Sequence, residues 1–176
     1  MKKLASQDGF SLIEVIIYVA LVSIITVSLI LFGVQLLEAR SAASFDREVI
    51  SNGRFTINRL TEEIRHATSL DTGTGSFGSH PSAFKLNNNG TGSVVFDTTT
   101  KIVNLGGSGY TVRYLRMDEN GTGPVQITSD FVNVTNFTVN DLTRGSESAN
   151  LQIFLSLESL NLDSSLDIQT ATSIRQ

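Results

Sequence analysis

From Val15 to Leu37 the chain carries no charged side chain: 23 consecutive residues, mostly Ile, Leu and Val. A bilayer core of roughly 30 Å takes about 20 apolar residues at about 1.5 Å rise each, so the run is long enough to cross one. A helix apolar on every side must be covered by lipid or by other protein. In 176 residues too little chain remains to wrap it as a soluble core. A secretory signal fits poorly, because such signals hold about 7 to 15 apolar residues followed by a small-residue cleavage site. Here the run leads into Gln35-Leu36-Leu37-Glu38-Ala39-Arg40, which reads as more helix. The small residues Ala5, Ser6 and Gly9 come before the run, where a cut would keep the helix.

The flanks set an orientation. Lys2 and Lys3 precede the span with Asp8 as the one acid, and Glu38 and Arg40 follow it. The positive-inside bias therefore places the N-terminus in the cytoplasm and the rest outside it. Away from the span the composition is ordinary, with 13 Lys+Arg against 17 Asp+Glu over the whole chain. The absence of cysteine excludes a disulfide scaffold, a thiolate metal site, a Cys nucleophile and an iron–sulfur cluster.

Glu14 is the residue that a simple anchor does not need. An acid in the middle of a membrane helix costs about 2.5–3.5 kcal/mol on insertion scales, and less near the interface. It either marks the headgroup level or meets a cation once the protein assembles. A cut between Gly9 and Phe10 would create an amine four residues from Glu14. On one helix the two positions share a face, so the same chain or a neighbouring one could supply the partner.

Lys2-Lys3, then Gly9-Phe10-Ser11-Leu12-Ile13-Glu14-Val15 and the long apolar run, resembles the class III signal of type IV pilin-like proteins. These comprise major and minor pilins and the pseudopilins of type II secretion and competence. The resemblance implies that a prepilin peptidase cuts after Gly9 and that Phe10 becomes the N-methylated first residue. It also implies that Glu14 neutralises the N-terminal amine of a neighbouring subunit during filament assembly, and that the helix loosens near Gly33. The chain is then a substrate of the peptidase and methyltransferase, with other pilin-like subunits, an inner-membrane assembly platform and, before assembly, the lipid bilayer as partners.

Beyond Glu38 the chain runs to about Ser69 without proline, and Phe45, Val49, Ile57, Leu60, Ile64 and Ala67 recur at helical spacing. The stripe predicts a stalk packed against the body. Gly53 is its soft point, since glycine costs a helix about 1 kcal/mol relative to alanine. Residues 38–70 hold five basic and five acidic side chains, a mixed surface with solvated pairs such as Glu62 and Arg65. The closing stretch, Phe55 to Ala67 with Arg59-Leu60 and Glu63-Ile64-Arg65, is similar to the helix end of larger, β-rich minor pilins and pseudopilins. His66 reads as a surface side chain.

Asp71 to Pro81 reads as loop, rich in Gly, Ser and Thr. Short alternating or β-branched runs follow over 83–86, 93–96, 110–117, 125–128, 132–139, 151–157 and 166–174. Between them, Asn87 to Gly92, Leu105 to Gly109 and Asp118 to Pro124 are hairpin or loop connections. Regular strands with no second helix predict an antiparallel sheet. The fold class is therefore α+β: a long N-terminal transmembrane-plus-stalk helix on a mainly antiparallel, pilin-like β body. The expected organisation is a cleaved leader 1–9, a membrane or filament-core helix 10–37, an amphipathic stalk 38–70 and an extracytoplasmic β domain 71–176.

The body, 71–176, holds six basic and ten acidic residues, which works against the phosphate contacts of nucleic-acid binding. Arg113 and Arg116 make at most a small basic spot. His66 and His80 lack the context of a nucleophile elbow, the glycine-rich stretches lack the lysine of a phosphate loop, and Asp118 to Gly121 does not match a calcium loop. Sequons at Asn89, Asn133 and Asn136 are of a kind that arises by chance. No catalytic residue, metal ligand or cofactor is expected. Two functions fit: a structural filament subunit, most simply a minor one, or a membrane-anchored module whose body binds a surface, DNA or another extracellular partner.

Overall fold

A computed structural model describes residues 10–88, 92–144, 148–160 and 164–174. The chain divides into two compact units, residues 1–41 and 42–176. One helix, α1 (Leu12–His66), contributes to both. The sequence pattern carries a helix from Phe10 to Ser69; in the structure Phe10 and Ser11 precede α1, and the chain leaves it after His66. The Ala67 N–H still donates to the Glu63 carbonyl at 3.0 Å, and the Thr68 N–H then donates to the Asn87 carbonyl at 2.7 Å. The switch from helical to cross-strand partners occurs within two residues.

Eight strands follow: β1 (Ser69–Ser76), β2 (Ala83–Asn88), β3 (Gly92–Leu105), β4 (Ser108–Glu119), β5 (Val125–Gln126), β6 (Val132–Asp141), β7 (Asn150–Ser159) and β8 (Ser165–Ser173). They form a five-stranded sheet, β1-β2-β3-β4-β5, and a three-stranded sheet, β6-β7-β8. Every pairing is antiparallel between strands consecutive in sequence, so loop closures are short and the α+β class holds.

Two departures from the sequence pattern stand out. The stretch read as loop from Asp71 is instead strand β1, which pairs Ser69 with Asn87 and Asp71 with Lys85 before an irregularity leading to Ser76 and Ala83. It lies at a sheet edge with most side chains exposed, so it shows no hydrophobic alternation. Strand β3 runs on to Leu105, far past Phe96, because Asp97-Thr98-Thr99-Thr100-Lys101 is β-branched though polar and pairs with β4 along its whole length. Gly106 and Gly107, with φ of 58° and 89°, turn this hairpin in two residues. The predicted run over 125–128 shrinks to the two residues of β5.

The core of the second unit joins three surfaces. Val49, Leu60 and Ile64 of α1, with Ala67 just past its end, are buried against Phe84, Leu86, Phe96 and Leu115 of the larger sheet and against Phe137, Ile153, Leu155 and Leu157 of the smaller one. The rings of Phe84 and Phe96 stack with centroids 5.2 Å apart. The expected helical stripe is thus confirmed, with Phe45 and Ile57 only partly buried. Gly53 and Thr56 are buried on the same face. A Cβ on Gly53 would stand 2.6 Å from Leu166 Cδ2 and 2.9 Å from Ile168 Cδ1. The apparent soft point is therefore where β8 comes closest to the helix.

The sheets are tied by polar contacts as well as by core. The Ile127 N–H donates to the Leu115 carbonyl at 2.8 Å, the Leu115 N–H to Thr128 Oγ1 at 3.2 Å, and the Arg113 N–H to Asn133 Oδ1 at 2.9 Å. The Asn52 amide carbonyl of α1 accepts from the Ser129 N–H at 2.7 Å. Arg59 bridges Glu63 at 2.7 Å and Glu119 at 3.0 Å, and Glu62 approaches Arg59 at 3.9 Å. Glu62 is thus paired with Arg59 and not, as its spacing suggested, with Arg65.

Candidate processing and assembly site

The first turn of α1 is built by Ser11. Its Oγ accepts from the Glu14 N–H at 3.3 Å, and its carbonyl accepts from the Glu14 and Val15 N–H groups at 3.1 and 3.3 Å. Ser11-Leu12-Ile13-Glu14 is the spacing of a capping box, in which the serine satisfies an orphan amide at the helix start. This is a role that the sequence reading missed, although Ser-x-x-Glu ahead of an apolar run is its signal. The Glu14 carboxylate lies in the first turn, where the helix dipole favours negative charge. It makes no hydrogen bond or ion pair with any described residue.

Phe10 is 81% exposed. Together with Glu14, Val15, Tyr18 and Val19 it lines one shallow groove, so positions 10 and 14 do fall on a common face. Gly9, the residue before the expected cut, and the rest of the leader 1–9 lie outside the described residues.

Past Glu14 the helix presents apolar side chains on all sides. Across its most apolar window the mean hydropathy is 2.9 and none of the surface is buried within the chain. The serine and threonine hydroxyls in the run are satisfied internally. Ser23 donates to the Val19 carbonyl at 2.7 Å, Thr26 to Val22 at 2.8 Å and Ser28 to Ile24 at 2.8 Å. Each reaches back one turn, which removes a free polar group from a surface that lipid has to solvate. Nothing lies within 4 Å of the position a Cβ would take on Gly33.

The other residues weighed from the sequence have structural partners or none. His66 is exposed. His80 Nδ1 accepts from the Phe137 N–H at 2.9 Å, and Ser82 Oγ accepts from the Val139 N–H at 2.9 Å. With the Gly78 and Ser82 N–H groups donating to the Val139 and Phe137 carbonyls, the loop closes the free edge of β6. Arg116 is held by Asp97 through two hydrogen bonds, which leaves little of a basic spot. Asn120 and Gly121, at φ of 58° and 68°, make a turn. The sequon at Asn89 and the basic end at Arg175 lie outside the described residues.

Residues 4–30 match the family model of the prokaryotic N-terminal methylation motif. The chain therefore carries a type IV pilin-like class III signal, that of a pilin- or pseudopilin-like precursor. The motif implies processing by a prepilin peptidase and assembly with other pilins, and with the apolar helix it fits a membrane-anchored protein. The match ends within the apolar run and leaves the β body uncovered. No curated protein and no solved structure matches the chain.

Proposed function

We propose that this chain is a structural subunit of a type IV pilus-like or pseudopilus filament, of the larger, β-rich, minor kind. It is inserted with its N-terminus in the cytoplasm, cut after Gly9 and methylated on the new amine of Phe10. It is drawn from the bilayer into the filament core through the helix that follows. The observation that carries this reading is a lone carboxylate, Glu14, without a partner among the described residues and four residues after Phe10, at the head of an apolar run with no residue buried within the chain. In lipid such a carboxylate is costly; beside an amine it is compensated. The body's acidic balance and the absence of a catalytic constellation in the sequence support a structural role.

Mass spectrometry of the protein purified from its native membrane tests the reading. The expected N-terminal peptide starts at Phe10 and carries one added methyl group. A chain that still begins at Met1, or one cut after the apolar run, overturns it.

A further inference from the structure

Strand β8 is an outer strand of the smaller sheet, paired with β7 alone. The Ser159 N–H donates to the Ser164 carbonyl and the Ile174 N–H to the Ala149 carbonyl, each between residues opposed in the β7–β8 register. Hydrogen-bonded pairs alternate along an antiparallel ladder, so the even-numbered residues of β8 face β7. The N–H and C=O groups of Ser165, Asp167, Gln169, Ala171 and Ser173 therefore point outward, along about 26 Å of edge at about 3.3 Å per residue. They have no backbone partner among the described residues. All five side chains are exposed.

The other outer strands carry the devices that keep free edges from pairing. The edge of β6 is closed by the loop that holds Gly78, His80 and Ser82. Strand β5 is two residues long, and the pairing of β1 breaks at an irregularity. Strand β8 has no proline, no lysine and no break in register. It is a long, undefended template for a further strand.

At its Ser173 end this edge meets a cleft of about 490 Å³ lined by Arg65, Asn150, Ala171, Thr172 and Ser173. Arg65, in the last turn of α1, is exposed and has no ion pair among the described residues. Thr172 is 6% exposed, and its hydroxyl is buried without a hydrogen-bond partner among the described residues. An unmet buried hydroxyl is costly, and one beside an unpaired guanidinium suits a carboxylate, which can accept from both. We propose that β8 receives an extended segment of another protein as an added strand, and that an aspartate or glutamate of that segment enters the cleft to bond Arg65. In such strand addition the main-chain bonds give affinity and the side-chain pocket gives specificity. The inference concerns the body alone and stands apart from how the N-terminus is processed.

The probe is a library of short random peptides, selected on the full-length chain in mild detergent. Retained peptides should share an acidic residue at one fixed position. Arg65→Gln should weaken them about tenfold, the scale of one lost charge-assisted bond. Only every second amide of an added strand faces β8, so methylating alternate backbone nitrogens of a retained peptide should abolish binding in one phase and spare it in the other. Ala171→Pro deletes one outward N–H and keeps the bonds to β7, a change that an edge strand tolerates. At an unchanged melting temperature it should lose the peptides; the N-methylated peptides need no variant and decide the matter if that chain unfolds. No selection for an acid, equal binding by the Arg65→Gln chain, or indifference to the phase of N-methylation overturns the proposal. Displacement by inorganic phosphate together with that indifference would mark a simple anion cleft and overturn it as well. Each of these outcomes leaves the filament reading standing, since that is decided by the N-terminal peptide.

Discussion

Two parts of Glu14 act separately at the residue scale. Its backbone N–H completes the cap on Ser11 Oγ, and its carboxylate is, in the proposed filament, the charge that assembly neutralises. Glutamine and alanine both keep the backbone cap and lose the charge. Glu14→Gln and Glu14→Ala should therefore insert and be processed like the unmodified chain but enter filaments poorly. Sheared-filament yield beside membrane yield checks this. Equal incorporation of the glutamine variant would remove the charge from the argument.

Elements differ in how plainly the sequence announces them. The apolar run and the Val49–Leu60–Ile64 stripe were legible because burial on one side, or exposure to lipid on all sides, leaves a periodic pattern. The alternation of Leu151, Ile153, Leu155 and Leu157 was legible for the same reason. Strand β1 was not, since an edge strand exposed on both faces needs no apolar residues, and Thr and Gly conceal it. Neither was the edge closure by His80 and Ser82, which depends on contacts 57 positions away in the chain. Gly53 was read for only part of its role: helix propensity counts it as a defect, and the close approach of β8 does not show in the local sequence. The obstructing atoms are terminal methyls of Leu166 and Ile168, which rotate. Gly53→Ala should accordingly land close to neutral, a helix gain of about 1 kcal/mol offsetting local crowding. Gly53→Leu should push β8 away and cost about 1–3 kcal/mol. Thermal unfolding of the detergent-solubilised chain compares them, and partial rescue of Gly53→Leu by Leu166→Ala would show that the clash lies at that contact. A leucine variant as stable as the parent would contradict the close approach.

At the scale of the whole molecule the two units face different solvents. All the described core residues lie between Val49 and Ile174, and none lies in the apolar run. The body's stability thus owes nothing to packing by residues 10–41, which need an apolar surrounding of their own. Lipid tails are as apolar as leucine side chains, so transfer of that helix from bilayer to filament core gains little from the hydrophobic effect. In the proposed filament, direction and register then come from polar contacts, Glu14 among them. If this division is right, residues 42–176 alone should be soluble without detergent, monomeric on gel filtration, and unfold in one cooperative transition with a β-rich spectrum. The new first turn, ahead of the buried Val49, should fray at little cost because most of its side chains are exposed. The full chain should require detergent or lipid. A fragment that aggregates, or that melts without cooperativity while the full chain in detergent does not, would mean that the body borrows stability from the first 41 residues. Assembly and folding would then no longer be separate problems in this protein.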